Sequence, residues 1–389
     1  MSNVPKLRFK EFSGEWKLKK LEQLSSKISD GIHSTPEYNQ DGDYYFINGN
    51  NLKNGKIILD ENTKKVTEKE YLKHYRELSN QTILMSINGT IGNIAFYNNE
   101  NIMLGKSACY ININNNLTNK FFISNQLSSS KIQYYYTSEL TGSTIKNLSL
   151  KTIKNTPIGL PSIQEQEKIA SFLTSVNTRI EQFTKKEALL QQYKKGVMQK
   201  IFNQEIRFKA DDGSEFCEWK EKKLDEVANR YDNLRIPVSS SNRISGDTPY
   251  YGANGIQDYV EGFTHDGEFV LLAEDGANDL QNYPVRYVNG KIWVNNHAHV
   301  LQGKKNILNN KFFGYAISKI NIEPFLVGGG RAKLNANILM KININIPSIQ
   351  EQTKIANFLS LIDSKIEQVQ KQLNYIKEFK KALLQQMFV

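Results

Sequence analysis

Apolar residues recur at alternating spacings of four and three along two stretches of this chain. The first runs Ile169, Leu173, Val176, Ile180, Phe183, Glu187, Leu190, Lys194, Val197, Ile201. The second runs Ile355, Leu359, Ile362, Ile366, Val369, Leu373, Ile376, Lys380, Leu383, Met387, each 186 residues beyond its counterpart. A seam of this kind over more than four heptads is the pattern of a coiled coil. Lys194 and Lys380 interrupt both seams at the same place, either to set register or with the ammonium snorkelling to solvent. Gly196 weakens the end of the first helix by about 1 kcal/mol relative to alanine. Ser162 with Glu165, and Ser348 with Glu351, form S-x-x-E capping boxes, each after a proline that stops backward extension. A helix of about 40 residues is roughly 60 Å long, and one apolar stripe of that length requires a partner. The cheapest partner is its own copy, held at high effective concentration in the same chain. Equivalent packing of equivalent helices implies a pseudo-twofold. The long first helix favours antiparallel rods with the globular regions at opposite ends.

Outside the seams the period changes to two. "DYYFING", "KIILD", "TILMSI", "NIAFY" and "ACYININ" read as strands in the first region, and "LTNKFFISNQLSSSKIQYYY" as one or two helices. In the second region "EFVLLAED", "PVRYVN" and "KIWVNNHAHVL" read as strands and "NNKFFGYAISKI" as a helix. Each region is a mixed α+β domain of ordinary size. The lead segments repeat as well: "RFKEFSGEWKLKKL" (8–21) matches "RFKADDGSEFCEWKEKKL" (207–224). The organisation is therefore domain 1–158, helical spacer 159–205, domain 206–345 and helical spacer 346–389. A duplicated frame around two dissimilar inserts suggests one task performed on two different targets.

The 389 residues fit two or three domains, and 39% hydrophobic with 11% aromatic residues supply real cores. A net charge of +10 favours a polyanionic partner, nucleic acid or a membrane surface. Cys109 and Cys217 are far apart with no CxxC, so neither a zinc ribbon nor a disulfide framework is expected. No apolar run of membrane-spanning length and no secretory signal occur, so the expectation is a cytoplasmic chain with no membrane partner. Catalytic motifs fail on inspection. There is no Asn/Asp-Pro-Pro-aromatic tetrapeptide, and "GKS" at 105–107 lacks the earlier glycine of a phosphate loop, Glu100 standing there. His297 and His299 would share a strand face, but no third metal ligand lies nearby in sequence.

The order of lead segment, variable domain, "LPSIQEQEKIASFL", second variable domain and "IPSIQEQTKIANFL" resembles the specificity (S) subunit of type I restriction-modification systems. "DGIHSTPEY" (30–38) and "YYGANGIQDY" (250–259) look like pieces of that family's target-recognition domains. The resemblance implies that each variable domain reads one half of a split, asymmetric site on double-stranded DNA. The helices would set the spacer and dock two modification (M) subunits, adenine methyltransferases that use S-adenosylmethionine. Restriction (R) subunits would add ATP- and Mg-dependent cleavage. The chain itself would bind no cofactor and carry no catalytic residue.

Base reading calls for Asn, Gln, Arg or Lys with fixed donor and acceptor patterns; phosphate contacts call for Lys, Ser, Thr and backbone N–H. The first domain offers His33, Ser34 and Thr35, then Asn48, Asn50, Asn51 and Lys53, then Ser86, Asn88 and Thr90, then Ser143, Thr144 and Lys146. The second offers Tyr250, Tyr251 and Asn254, then Asn295, Asn296 and His297, then Arg331 and Lys333. Asn and Gly are also ordinary turn residues, which is the competing reading. "GSTIK" and "GGGRAK" stand at matching distances before the two helices, where glycine beside a cation suits close approach to a phosphate or a hinge. Lys17, Lys19, Lys20 and Lys220, Lys222, Lys223 suit DNA, a partner subunit or a solvated face equally, while Trp16 and Trp219 pack each lead segment onto its domain. A self-sufficient DNA-modifying enzyme and a two-headed adaptor for sugars or proteins are the alternatives.

Overall fold

The computed structural model describes residues 3–142, 146–328 and 332–389. It divides into two units, residues 1–185 with 371–389, and residues 186–370. Each unit thus holds one variable domain, the start of the long helix that follows it and the end of the other.

In the first unit an antiparallel sheet runs in the order Ser25–Asp30, Ala108–Ile113, Thr82–Ser86, Ile94–Phe96. Thr82–Ser86 is buried at every position because both faces are covered. Ile83 and Met85 pack with Phe122, Ile123 and Leu127 around the Lys120–Leu127 helix. Leu84, between them, points the other way, to Ile47, Leu104 and Tyr110. The second unit has a six-stranded sheet, Ala228–Arg230, Ala298–Gly303, His265–Ala273, Val285–Val294, Ser245–Gly252, Gly255–Val260, backed by the helix Asn310–Ile317. "PVRYVN" and "KIWV", expected as separate strands, are one strand, which passes Gly290 at φ 97°. The break falls later, at Asn295, whose side-chain oxygen accepts the His297 N–H at 2.8 Å and turns the chain.

The duplicated lead segments become duplicated joints. Lys17–Lys20 pairs antiparallel with Pro157–Leu160, and Lys220–Lys223 with Asn343–Ile346, closing each domain just before its long helix. The helices then run Ile163–Phe202 and Ile349–Gln386. Ser162 and Ser348 accept the N–H of Glu165 and Glu351, each at 3.3 Å, as capping serines. The two carboxylates, however, are not the second half of a capping box. Arg8 Nε and Nη2 donate to Glu165 at 2.8 Å each, and Arg207 Nε and Nη2 to Glu351 at 3.2 and 2.9 Å. A two-pronged guanidinium outcompetes one backbone N–H for a buried carboxylate. Gln166 accepts from Thr118 Oγ1 and the Asn119 N–H, and Gln352 from the Asn309 N–H. The repeated P-S-I-Q-E-Q is therefore a socket binding helix, domain and lead segment together.

In the second unit, Lys194 Nζ lies 2.5 Å from Asp363 Oδ1, and Gln370 Nε2 donates to Glu187 Oε1 at 2.9 Å. Residue numbers rise along one helix as they fall along the other, so the segments are antiparallel. Lys194 does not snorkel to solvent: it is half-buried, paired with Asp363 and 5.2 Å from the Tyr315 ring centre. The repeat places Asn177 where Asp363 stands. Lys380 is half-buried, and its burial pushes the ammonium pKa down. In the first unit Leu383, Met387 and Phe388 share a core with Leu173 and Val176. Phe388 sits 6.3 Å from Trp16 and 5.6 Å from Phe122. Phe202, its repeat partner, contacts Trp219 and Phe312 in the second unit.

Candidate nucleic-acid interface

In the first unit several loops gather around residues 104–108. Gly31 leaves no room for a side chain, since a Cβ would lie 2.0 Å from the Leu104 carbonyl oxygen, and the Ile32 N–H donates to that same oxygen at 2.8 Å. A Cβ on Gly105 would meet Asn48 Oδ1 at 2.3 Å. Ser107 Oγ donates to Asn48 Oδ1 and accepts the Gly49 N–H, both at 2.9 Å. The Ile87 N–H donates to the Ser107 carbonyl at 3.0 Å, and Gly89 N–H to the Lys146 carbonyl at 3.1 Å. Segments 30–35, 48–53, 86–90 and 146–148, which sequence reasoning singled out separately, are thus brought together.

Their side chains divide into two groups. Ser86 is buried and its oxygen accepts the Asn93 N–H at 2.9 Å. Asn51 accepts from Asn48 N–H and donates to the Ile58 carbonyl, and Asn48 holds Ser107. The side-chain oxygen of Asn88 is buried, with no hydrogen-bond partner among the described residues. Ser86, Asn48 and Asn51 shape the loops. Ser34, Thr35, Asn50, Lys53, Thr90 and Lys146 are exposed, as is His33, whose Nε2 lies 2.9 Å from Asp30. Ser143 and Thr144 lie outside the described residues.

The second unit builds a corresponding edge on different side chains. Lys333 bridges both Val327 and Asp275, as Asn147 bridges both Thr141 and Asn88. Tyr250 is buried, its hydroxyl accepting from Val238 N–H at 3.0 Å, which removes it from any surface role. Asn295 is buried in its turn. Asn254 is exposed but braces two loops, donating to the Gly276 carbonyl at 2.9 Å and accepting the Asn278 N–H at 3.0 Å. Tyr251 is half-buried, and burial raises its pKa. Asn296 is exposed; His297 Nδ1 lies 2.6 Å from Asp275; Lys333 lies 2.9 Å from Glu274. Arg331 lies outside the described residues. Sequence reasoning passed over Arg286, which sits inside a segment read only as a strand; its guanidinium covers the 252–255 turn and donates to the Asn254 carbonyl at 3.4 Å.

His297 and His299 do not act together. His299 is buried in a group with Asp232 and Glu274, whose ligating atoms lie within 4.8 Å of one another. That group is already a closed ion network. His299 Nδ1 lies 2.6 Å from Asp232 and its Nε2 lies 2.8 Å from the Leu334 carbonyl. Arg230 pairs with Asp232, and Arg235 and Lys333 with Glu274. Three side-chain cations against two carboxylates leave a metal ion little to neutralise. Burial alone would raise the Asp232 pKa, but the hydrogen bond and charge of His299 and the Val300 N–H hold it down at about 2. Since Glu274 and Leu334 flank the hairpin bridge, the network anchors the loop edge from beneath.

Residues 13–191 and 217–378 each match the family described as type I restriction modification DNA specificity domain. A Haemophilus influenzae protein named as a type I restriction enzyme specificity subunit is 53% identical over 151 residues, 39% of this chain and 38% of that protein. The MjaX specificity subunit of Methanocaldococcus jannaschii is 25% identical over 98% of this chain and 95% of its own. The crystal structure of the type I restriction-modification S subunit from M. genitalium superposes with a TM-score of 0.69 at 20% identity, covering 99% of both chains. Among the described residues, no helix is long and apolar enough to cross a membrane.

Proposed function

The chain belongs to the type I restriction modification DNA specificity family, and on that premise we propose that each of its variable domains reads one half of a bipartite, asymmetric site on duplex DNA. The observation that carries the reading is the pair of loop edges, at 88–90 with 146–147 and at 274–278 with 332–334, built on one backbone plan with different exposed side chains. Equivalent edges bearing Lys53, Asn50 and Thr90 in one domain and Asn296, His297 and Arg286 in the other would favour different bases. Exposed Lys146 carries the kind of side chain that contacts phosphate, whereas Lys333 is held by Glu274.

The helices fix the spacer and dock two adenine-methylating M subunits, with S-adenosylmethionine bound there and ATP with Mg on R subunits; this chain carries no chemistry. Docking of two identical partners is supported by a duplicated apolar pair on exposed helix positions. Leu189 and Tyr193 are 54% and 52% exposed; Tyr375 and Phe379, 186 residues on, are 75% and 42% exposed. Leu189→Glu with Tyr193→Glu should remove one M subunit from the complex, measured by native mass.

The deciding experiment exchanges residues 206–345 for another variable domain and maps adenine methylation genome-wide. One half of the methylated motif should change and the other stay. An unchanged motif, or one lost on both sides, would refute the modular reading.

A further inference from the structure

The second unit contains a groove of about 1090 Å³ between the sheet strand Val285–Val294, the helix Asn310–Ile317 and the two long helices. We propose that it binds a single polynucleotide strand, separately from the duplex held at the loop edges. Lys194, Lys195, Lys311 and Lys319 line it against only Asp363 and Glu367. Asp363 is already engaged by Lys194 and by the Tyr315 hydroxyl, which donates to it at 2.6 Å. Among the described residues no carboxylate pairs with Lys195, Lys311 or Lys319. Tyr251, Tyr287 and Tyr315 supply ring faces on the same walls, with Lys311 Nζ 5.6 Å from the Tyr287 ring centre. Cations interleaved with aromatic faces form the chemistry that tracks a phosphodiester backbone while stacking bases. The volume suits roughly two or three nucleotides on the scale of ordinary ligand pockets.

An acidic peptide of a partner subunit would satisfy the charge but not the asymmetry. Asn119 and Asn309 cap equivalent helices, and at that spacing Lys311, Tyr315 and Lys319 are replaced by Phe121, Asn125 and Ser129. Asp363 is replaced by Asn177. A partner present in two copies would find two such grooves, whereas these residues occur once.

The test uses the full chain, a labelled oligothymidylate, a non-specific duplex and polyglutamate. Lys311→Glu with Lys319→Glu, both at exposed positions, should weaken oligothymidylate binding at least tenfold and lower its salt slope by about 1.4, two contacts at ~0.7 each. Tyr287→Ala should weaken it at least fivefold through lost stacking. Affinity for the non-specific duplex should stay unchanged in both. Unchanged oligothymidylate affinity in these variants, or displacement by polyglutamate or duplex at equal strength, would overturn the proposal. The inference goes beyond half-site reading and fails separately from it: substitutions at Asn50, Lys53 or Asn296 should alter duplex selectivity and leave oligothymidylate binding intact.

Discussion

Replacing Arg207 by methionine tests the socket at the head of the second long helix. The Glu351 side chain is fully buried and that of Arg207 is 16% exposed, so this pair is screened far less than a surface ion pair. Arg207 Nη2 also donates to the carbonyls of Phe216 and Cys217 at 3.1 and 2.7 Å. Removing the guanidinium leaves a buried carboxylate without its counter-charge, a loss of about 3–5 kcal/mol. For a unit of this size each kcal/mol moves the melting temperature by roughly 2–4 °C. The second unit should therefore melt roughly 6–20 °C lower, followed by circular dichroism and Trp219 fluorescence. Arg207→Met with Glu351→Met should recover most of the loss, because the penalty lies in the stranded charge more than in the missing pair. A single-variant loss below about 1 kcal/mol, or a double variant equal to the sum of the singles, would refute the socket. Arg8→Met should do the same to the first unit.

Phe388→Ala opens a cavity beside Trp16 and Phe122 and should cost about 3–5 kcal/mol, with Trp16 emission shifting to the red in a chain lacking the other tryptophans. Gly105→Ala drives a Cβ into Asn48 Oδ1; binding to the first half-site should fall while selectivity for the second stays, read by half-site mutant duplexes. Asp232 has a depressed pKa of about 2, so its contribution is present above its unfolded pKa of about 3.9 and is lost as pH falls toward 2. Asp232→Asn should lower stability at pH 6 by about 2 kcal/mol and flatten its decline between pH 4 and 2, measured by urea unfolding across pH.

The 4-3 seams, the capping serines and most strands were legible in the sequence because they are local: periodicity and caps depend on neighbours a few residues away. The duplication was legible because it was written twice. The tertiary structure decided what distance in the chain conceals. Glu165 and Glu351 looked like capping-box glutamates until Arg8 and Arg207, more than 140 residues away in sequence, claimed their carboxylates. Ser86, Tyr250 and Asn295 had the chemistry of readers, but burial turned them inward, while Arg286 was overlooked because nothing local separates a strand arginine that covers a turn from one that only faces water. Side-chain type and spacing set what a residue is able to bind; which partner reaches it first is settled only when the loops converge and water is excluded.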